Sequence, residues 1–122
     1  MSVFKLSAAV FVASLLAAVP ALAVEDGQFT WTGYGRDGSS SCPTYQMTID
    51  VKVENNRAIG QFQQKGRTMR NFDLPINEKG EFKGQTVVGG GEKMDVSGLI
   101  GNGGGILLDG YCKFGGRFAV AK

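Results

Sequence analysis

The sequence contains no histidine, only two cysteines and only three prolines. Each shortage excludes something. Without imidazole there is no Ser-His-Asp triad, no Cys-His pair and no histidine-bound zinc. Two cysteines are too few for a zinc ribbon or a disulfide-dense mini-protein. An excess of one charge is missing too. Thirteen Lys and Arg stand against eleven Asp and Glu, which gives no electrostatic case for binding nucleic acid. Asp26, Asp37, Asp50, Asp73 and Asp95 are scattered without the spacing of a calcium loop, so neither a metal nor another cofactor is expected. At 122 residues the chain is one domain at most.

Residues 1–23 read as a segment apart from the fold. Lys5 is the only charge before Glu25, an apolar stretch follows from Ala8 to Val19, and Pro20 precedes the small-residue motif Ala21-Leu22-Ala23. A charged start, an apolar middle and an A-x-A end have the form of a secretory signal peptide. The apolar run is short for a spanning helix, which needs about 20 residues, and no later stretch is more apolar. The expected product is residues 24–122, a single β-domain in the periplasm or secreted, with no membrane span and no defined oligomeric state. In such an oxidising compartment the two cysteines, Cys42 and Cys112, are expected to form a disulfide. The loop closed would have about 70 residues, worth roughly 4 kcal/mol in the chain-entropy model.

What is abundant is glycine: all 19 lie after Ala23. Between the glycine clusters the chain alternates. Tyr45, Met47, Ile49, Val51 and Val53 share one face against Gln46, Thr48, Asp50 and Lys52, the period of a half-buried strand. Further strands are expected at 57–64, 67–76, 81–88, 94–100, 106–112 and 117–121, with a first one around Phe29, Trp31 and Gly33. In 57–64 the buried face is either Ala58, Gly60 and Phe62 or that of Ile59. Turns every 8–12 residues are the spacing of a sandwich or barrel, and no window after residue 23 supports a helix. Glycine also falls inside strands, at Gly60, Gly84 and Gly98, where it permits bending and close backbone approach. These features predict a small antiparallel up-and-down β-barrel of about eight strands. The alternatives are a curved open meander and a small β-sandwich. A Cys42–Cys112 bridge fits closure, because it would tie the start of the chain to its end.

Few residues carry a case for chemistry. The glycine runs at 89–91 and 101–105 lack the helix and Lys-Ser/Thr pair of a phosphate loop and read as turns. Lys65, Arg67 and Arg70 form a basic cluster by a turn. On a strand Arg67 and Arg70, three apart, face opposite sides. The longest polar segment, 35–43, holds Arg36, Asp37, Ser39, Ser40 and Ser41, with no histidine to activate a serine. Loops on rigid scaffolds often carry function, so these residues, with neighbouring Trp31 and Tyr34, are the candidate partner contacts. The aromatic side chains otherwise read as core.

The segment Gly27-Gln28-Phe29-Thr30-Trp31-Thr32-Gly33 is similar to the first strand of the calycin barrels, the lipocalins and avidins, with Phe29 where their tryptophan stands. The strand at 45–53 and the hairpin Gly80-Glu81-Phe82-Lys83-Gly84 resemble them as well. The chain also resembles short, glycine-rich, two-cysteine exported proteins of Gram-negative bacteria. The resemblance implies binding rather than catalysis, and some small periplasmic barrels of this general kind inhibit proteases or lysozyme. With one tryptophan in place of the several that line an avidin site, no ligand contacts carry over. The expectation is a non-enzymatic exported interaction module, for a partner protein (an enzyme it inhibits, for example) or an envelope component. The alternative is a small-molecule carrier holding its ligand inside the barrel.

Overall fold

The computed structural model describes residues 24–101 and 103–119. The expected signal peptide, residues 1–23, lies outside them. The described residues form eight antiparallel strands: β1 Gly27–Tyr34, β2 Gln46–Glu54, β3 Arg57–Gln64, β4 Arg70–Pro75, β5 Glu81–Val87, β6 Lys93–Leu99, β7 Gly105–Asp109 and β8 Lys113–Arg117. They make two four-stranded sheets, β1-β2-β3-β4 and β5-β6-β7-β8, each a meander in sequence order. No α-helix occurs among the described residues; two three-residue 3-10 turns interrupt the loops.

The alternation read from the sequence is the burial pattern. Met47, Ile49, Val51 and Val53 are buried along β2 while Thr48, Asp50 and Lys52 are exposed. In β3 the buried face is Ala58, Gly60 and Phe62. Opposite them the second sheet contributes Phe82, Met94, Val96, Ile106, Leu108 and Phe114 to the same core. One residue expected in the core stays outside it, Tyr111 at 42% exposed, and Tyr34, a candidate partner contact, is 56% exposed. The mid-strand glycines admit rings. A Cβ on Gly60 would stand 2.1 Å from Phe72, paired across the ladder, and one on Gly98 2.2 Å from Phe82.

The two junctions between the sheets are built differently. At β8 and β1, Arg36 and Lys113 exchange backbone hydrogen bonds of 2.9 and 2.8 Å, and Ala119 N–H donates to the Thr30 carbonyl at 2.8 Å. Between these points the Arg36 guanidinium donates to the Gly115 carbonyl at 2.9 Å, and Trp31 lies over Gly116. At β4 and β5 side chains make the junction. Phe72 stacks on Phe82 at 6.1 Å, Leu74 covers Gly84, and the Thr86 hydroxyl donates to the Asn71 carbonyl at 2.8 Å.

Cys42 and Cys112 are bonded, with their Cα atoms 5.8 Å apart. The bridge joins the β1–β2 connection to the β7–β8 turn. Three strands differ from the expectation by more than a residue or two, and the first is β4, which starts at Arg70 rather than at 67. The last strand is Lys113–Arg117 rather than 117–121, and residues 110–112 form a turn rather than the end of the seventh strand. Gly115 and Gly116 hid it, because glycine reads locally as a turn. In the fold Gly116 makes room for Trp31, and Gly115 sits at φ 127° against the Ile106 carbonyl.

Candidate functional site

A meander sends alternate turns to opposite ends. Residues 35–45, 65–69, 88–92 and 110–112 therefore gather at one end, with the disulfide. Residues 55–56, 76–80, 100–101 and 103–104 close the other.

The loop expected to make partner contacts lies at the disulfide end, and much of it is held by its own bonds. Arg36 spans the junction to β8 and also faces Asp37 at 3.7 Å. The Ser39 hydroxyl accepts from Ser41 N–H at 3.3 Å and lies 3.9 Å from the Cys42 sulfur. Trp31 is half-buried against the core. Asp37, in the left-handed region at φ 57°, shapes the turn. Ser40 and Ser41 are exposed, and Tyr34 presents its ring at the end of β1.

The structure adds residues that local reading did not group. Among the described residues the exposed large apolar side chains are Tyr34, Met69, Val87 and Tyr111 at the disulfide end and Leu99 at the other. Arg67 and Arg70 do not lie on opposite faces. Residues 67–69 precede β4, so the three-residue spacing does not alternate, and both arginines line one cleft. That cleft, about 540 Å³, also takes Gln64 and Thr68, Val88 and Glu92 from the β5–β6 connection, and Tyr111 from the disulfide turn; Met47 and Phe62 form its floor.

Tyr111 is fixed in place from several sides. Its ring meets Phe114 at 5.8 Å and Tyr45 at 6.5 Å, both edge-on. Its hydroxyl donates to Gln64 Oε1. Burial pushes its phenol above the usual range; Arg67 draws it back and Tyr45 pushes it up further. The group is therefore a neutral donor at neutral pH. Its neighbour Cys112 holds the turn through the disulfide.

A larger hollow, about 880 Å³, lies along the solvent face of the first sheet. Thr30, Asp50, Gln61 and Asn71 cross it as one row of the ladders. The groups there are partly spent on one another: Thr30 donates to Asp50, and Arg57 pairs with Asp73 at 2.6 Å beside it. It offers hydrogen bonds and some apolar surface from Phe29 and Ile59, and its cation, Lys52, faces Glu54 at 3.7 Å. Among the described residues no three His, Cys, Asp or Glu gather where they could hold a metal ion, and no helix is long and apolar enough to cross a membrane. Comparison with protein-family models, with curated proteins and with solved structures gives no match.

Proposed function

We propose that this protein is a non-enzymatic exported binding module, that its eight strands form one small barrel, and that its disulfide end docks a partner protein. The observation carrying the reading is the grouping of exposed Tyr34, Met69, Val87 and Tyr111 at one end. Aromatic residues, Met and Arg are the types enriched at protein interfaces, and Arg67 and Arg70 stand among them. Barrel closure is supported by backbone bonds at the β8–β1 junction and stacked side chains at β4–β5. Export is supported by the charged, apolar, small-residue order of residues 1–23 and by the disulfide. Binding inside the barrel is not preferred, because buried side chains such as Phe114, Met47, Ile49, Met94 and Leu108 occupy the space between the sheets.

The test is site-specific photo-cross-linking in intact cells. A photoreactive side chain at Tyr34 or Met69 should yield a discrete heavier adduct, and one at Thr48 or Lys83, exposed on the strands, should not. Equal yields from both pairs, or no adduct from any of the four, would remove the docking end.

A further inference from the structure

The cleft at the disulfide end has more chemistry than a general docking surface requires. Its apolar surface comes from Val88 and Tyr111, over the buried core residues Met47 and Phe62. Its rim is cationic: Arg67 and Arg70 both line it, and neither belongs to an ion pair among the described residues, whereas Arg36 and Arg57 each face an aspartate. Arg67 is exposed and Arg70 half-buried, its guanidinium beside Gly89. Glu92 is the one carboxylate on the rim. The Tyr111 hydroxyl closes the far side on Gln64.

Two guanidinium groups beside an apolar surface select for an anion joined to an apolar group. Arginine suits a carboxylate because its planar fork matches the two oxygens. Two cations against one anion leave the rim matched to a single carboxylate rather than to a dianionic phosphate. Tyr111 lines the cleft with exposed apolar surface, the kind of surround that keeps water from a central anchor.

We propose that this cleft clamps one segment of the partner protein, an apolar side chain followed or preceded by an acidic residue. The apolar group rests against Val88 and Tyr111, and the carboxylate is held by Arg67 and Arg70. The inference rests on the docking reading above but is separable from it.

The experiment uses the disulfide-bonded protein, residues 24–122, and short random peptides displayed on phage. Selected peptides are measured by fluorescence anisotropy against the wild type, R67Q/R70Q and, as a control, Y34S/V87S. Enriched peptides are expected to place Asp or Glu beside an apolar residue. Replacing that acid by its amide, or using R67Q/R70Q, should each weaken binding about tenfold or more, and combining the two should cost little extra, since both remove one interaction. R67K/R70K, which keeps the charge without the fork, should fall between. Peptides that lack an acidic residue, or that bind R67Q/R70Q as well as wild type, overturn the clamp, as does a failure to enrich any peptide. Binding weakened by Y34S/V87S alone leaves the docking end standing without the clamp; binding indifferent to both variants removes the two together.

Discussion

The two ends of this molecule use their side chains in opposite ways. At the end away from the disulfide, side chains make turns. Asn77 Oδ1 accepts from Lys79 N–H and Glu81 N–H, both at 2.9 Å, and its amide donates to Glu81 Oε1 at 3.0 Å. Asn56 accepts from Val24 N–H, and Asn55 and Asn56 hold the left-handed conformation their tight turn requires. At the disulfide end the backbone is held by the covalent bridge and the Arg36–Lys113 pair. That leaves the exposed Tyr34, Met69, Val87 and Arg67, with the half-buried Arg70, unspent on the turns. Local side-chain bonds are made at this end too, from Thr44 to the Ser41 carbonyl at 2.6 Å and from Gln63 to the Arg67 carbonyl at 2.8 Å, but none of them uses those five side chains. Charge leans the same way: Lys65, Arg67 and Arg70 outnumber Glu92 around one cleft, and Glu25, Asp26 and Glu78 outnumber Lys79 at the other end.

The contrast is broken most directly by removing the tie. The bridge spans a sequence separation of 70, so C42S/C112S should lower the unfolding free energy by about 4 kcal/mol, read from urea denaturation. Native-state hydrogen exchange then locates the damage. Amides of residues 35–45 and 110–112 should lose protection first, and those around Asn56 and Asn77 last. Equal loss at both ends would mean that the bridge does not single out its own end.

A smaller effect separates stability from recognition. N77A removes three hydrogen bonds from one turn and should cost about 1–2 kcal/mol, as the loss of a helix cap does, while leaving the cross-links from Tyr34 intact. M69S/V87S should change stability by no more than about 0.5 kcal/mol per site and abolish those cross-links. The reverse pattern would show that the exposed apolar side chains are structural.

Much of this fold is legible in the sequence, because it is local. The alternation at 45–53 gives β2 within one residue, and the turn residues Asn55, Asn56 and Gly66 mark hairpins that form, whereas Gly80 marks a turn between β4 and β5, which lie in different sheets and do not pair. The failures come from contacts between distant residues. Gly115 and Gly116 read as a turn until Trp31 and Ile106 lie against them. The site was legible in part. The loop at 35–43 does stand at the disulfide end, but several of its polar groups hold the loop itself. Met69, Val87 and Glu92 escaped notice because nothing near them in sequence connects them. The connecting signal is the parity of the turns: once eight strands are read as a meander, alternate connections must share an end. Arg67 and Arg70 were separated by treating 67–69 as strand, where the true strand starts at Arg70.

The smallest expected effect concerns alkaline pH, and it too should be confined to one end. All three tyrosines, Tyr34, Tyr45 and Tyr111, stand at the disulfide end. Burial raises the Tyr111 phenol above its usual value of 10.0, with Arg67 opposing and Tyr45 assisting. A group whose folded pKa is raised holds its proton longer in the native state than in the unfolded chain. Its contribution to stability is therefore whole below the unfolded value, near 10.0, and is lost as pH rises through the higher folded value. Denaturation midpoints of the wild type should fall above that pH more steeply than those of Y111F, which has no phenol to ionise at this position. Below it the difference between the two should be flat, set only by the lost hydrogen bond to Gln64. Hydrogen exchange should place the alkaline loosening at residues 110–112 and 64–67. Parallel pH profiles for Y111F and wild type would assign the alkaline transition to other groups and remove Tyr111 from the account of this end.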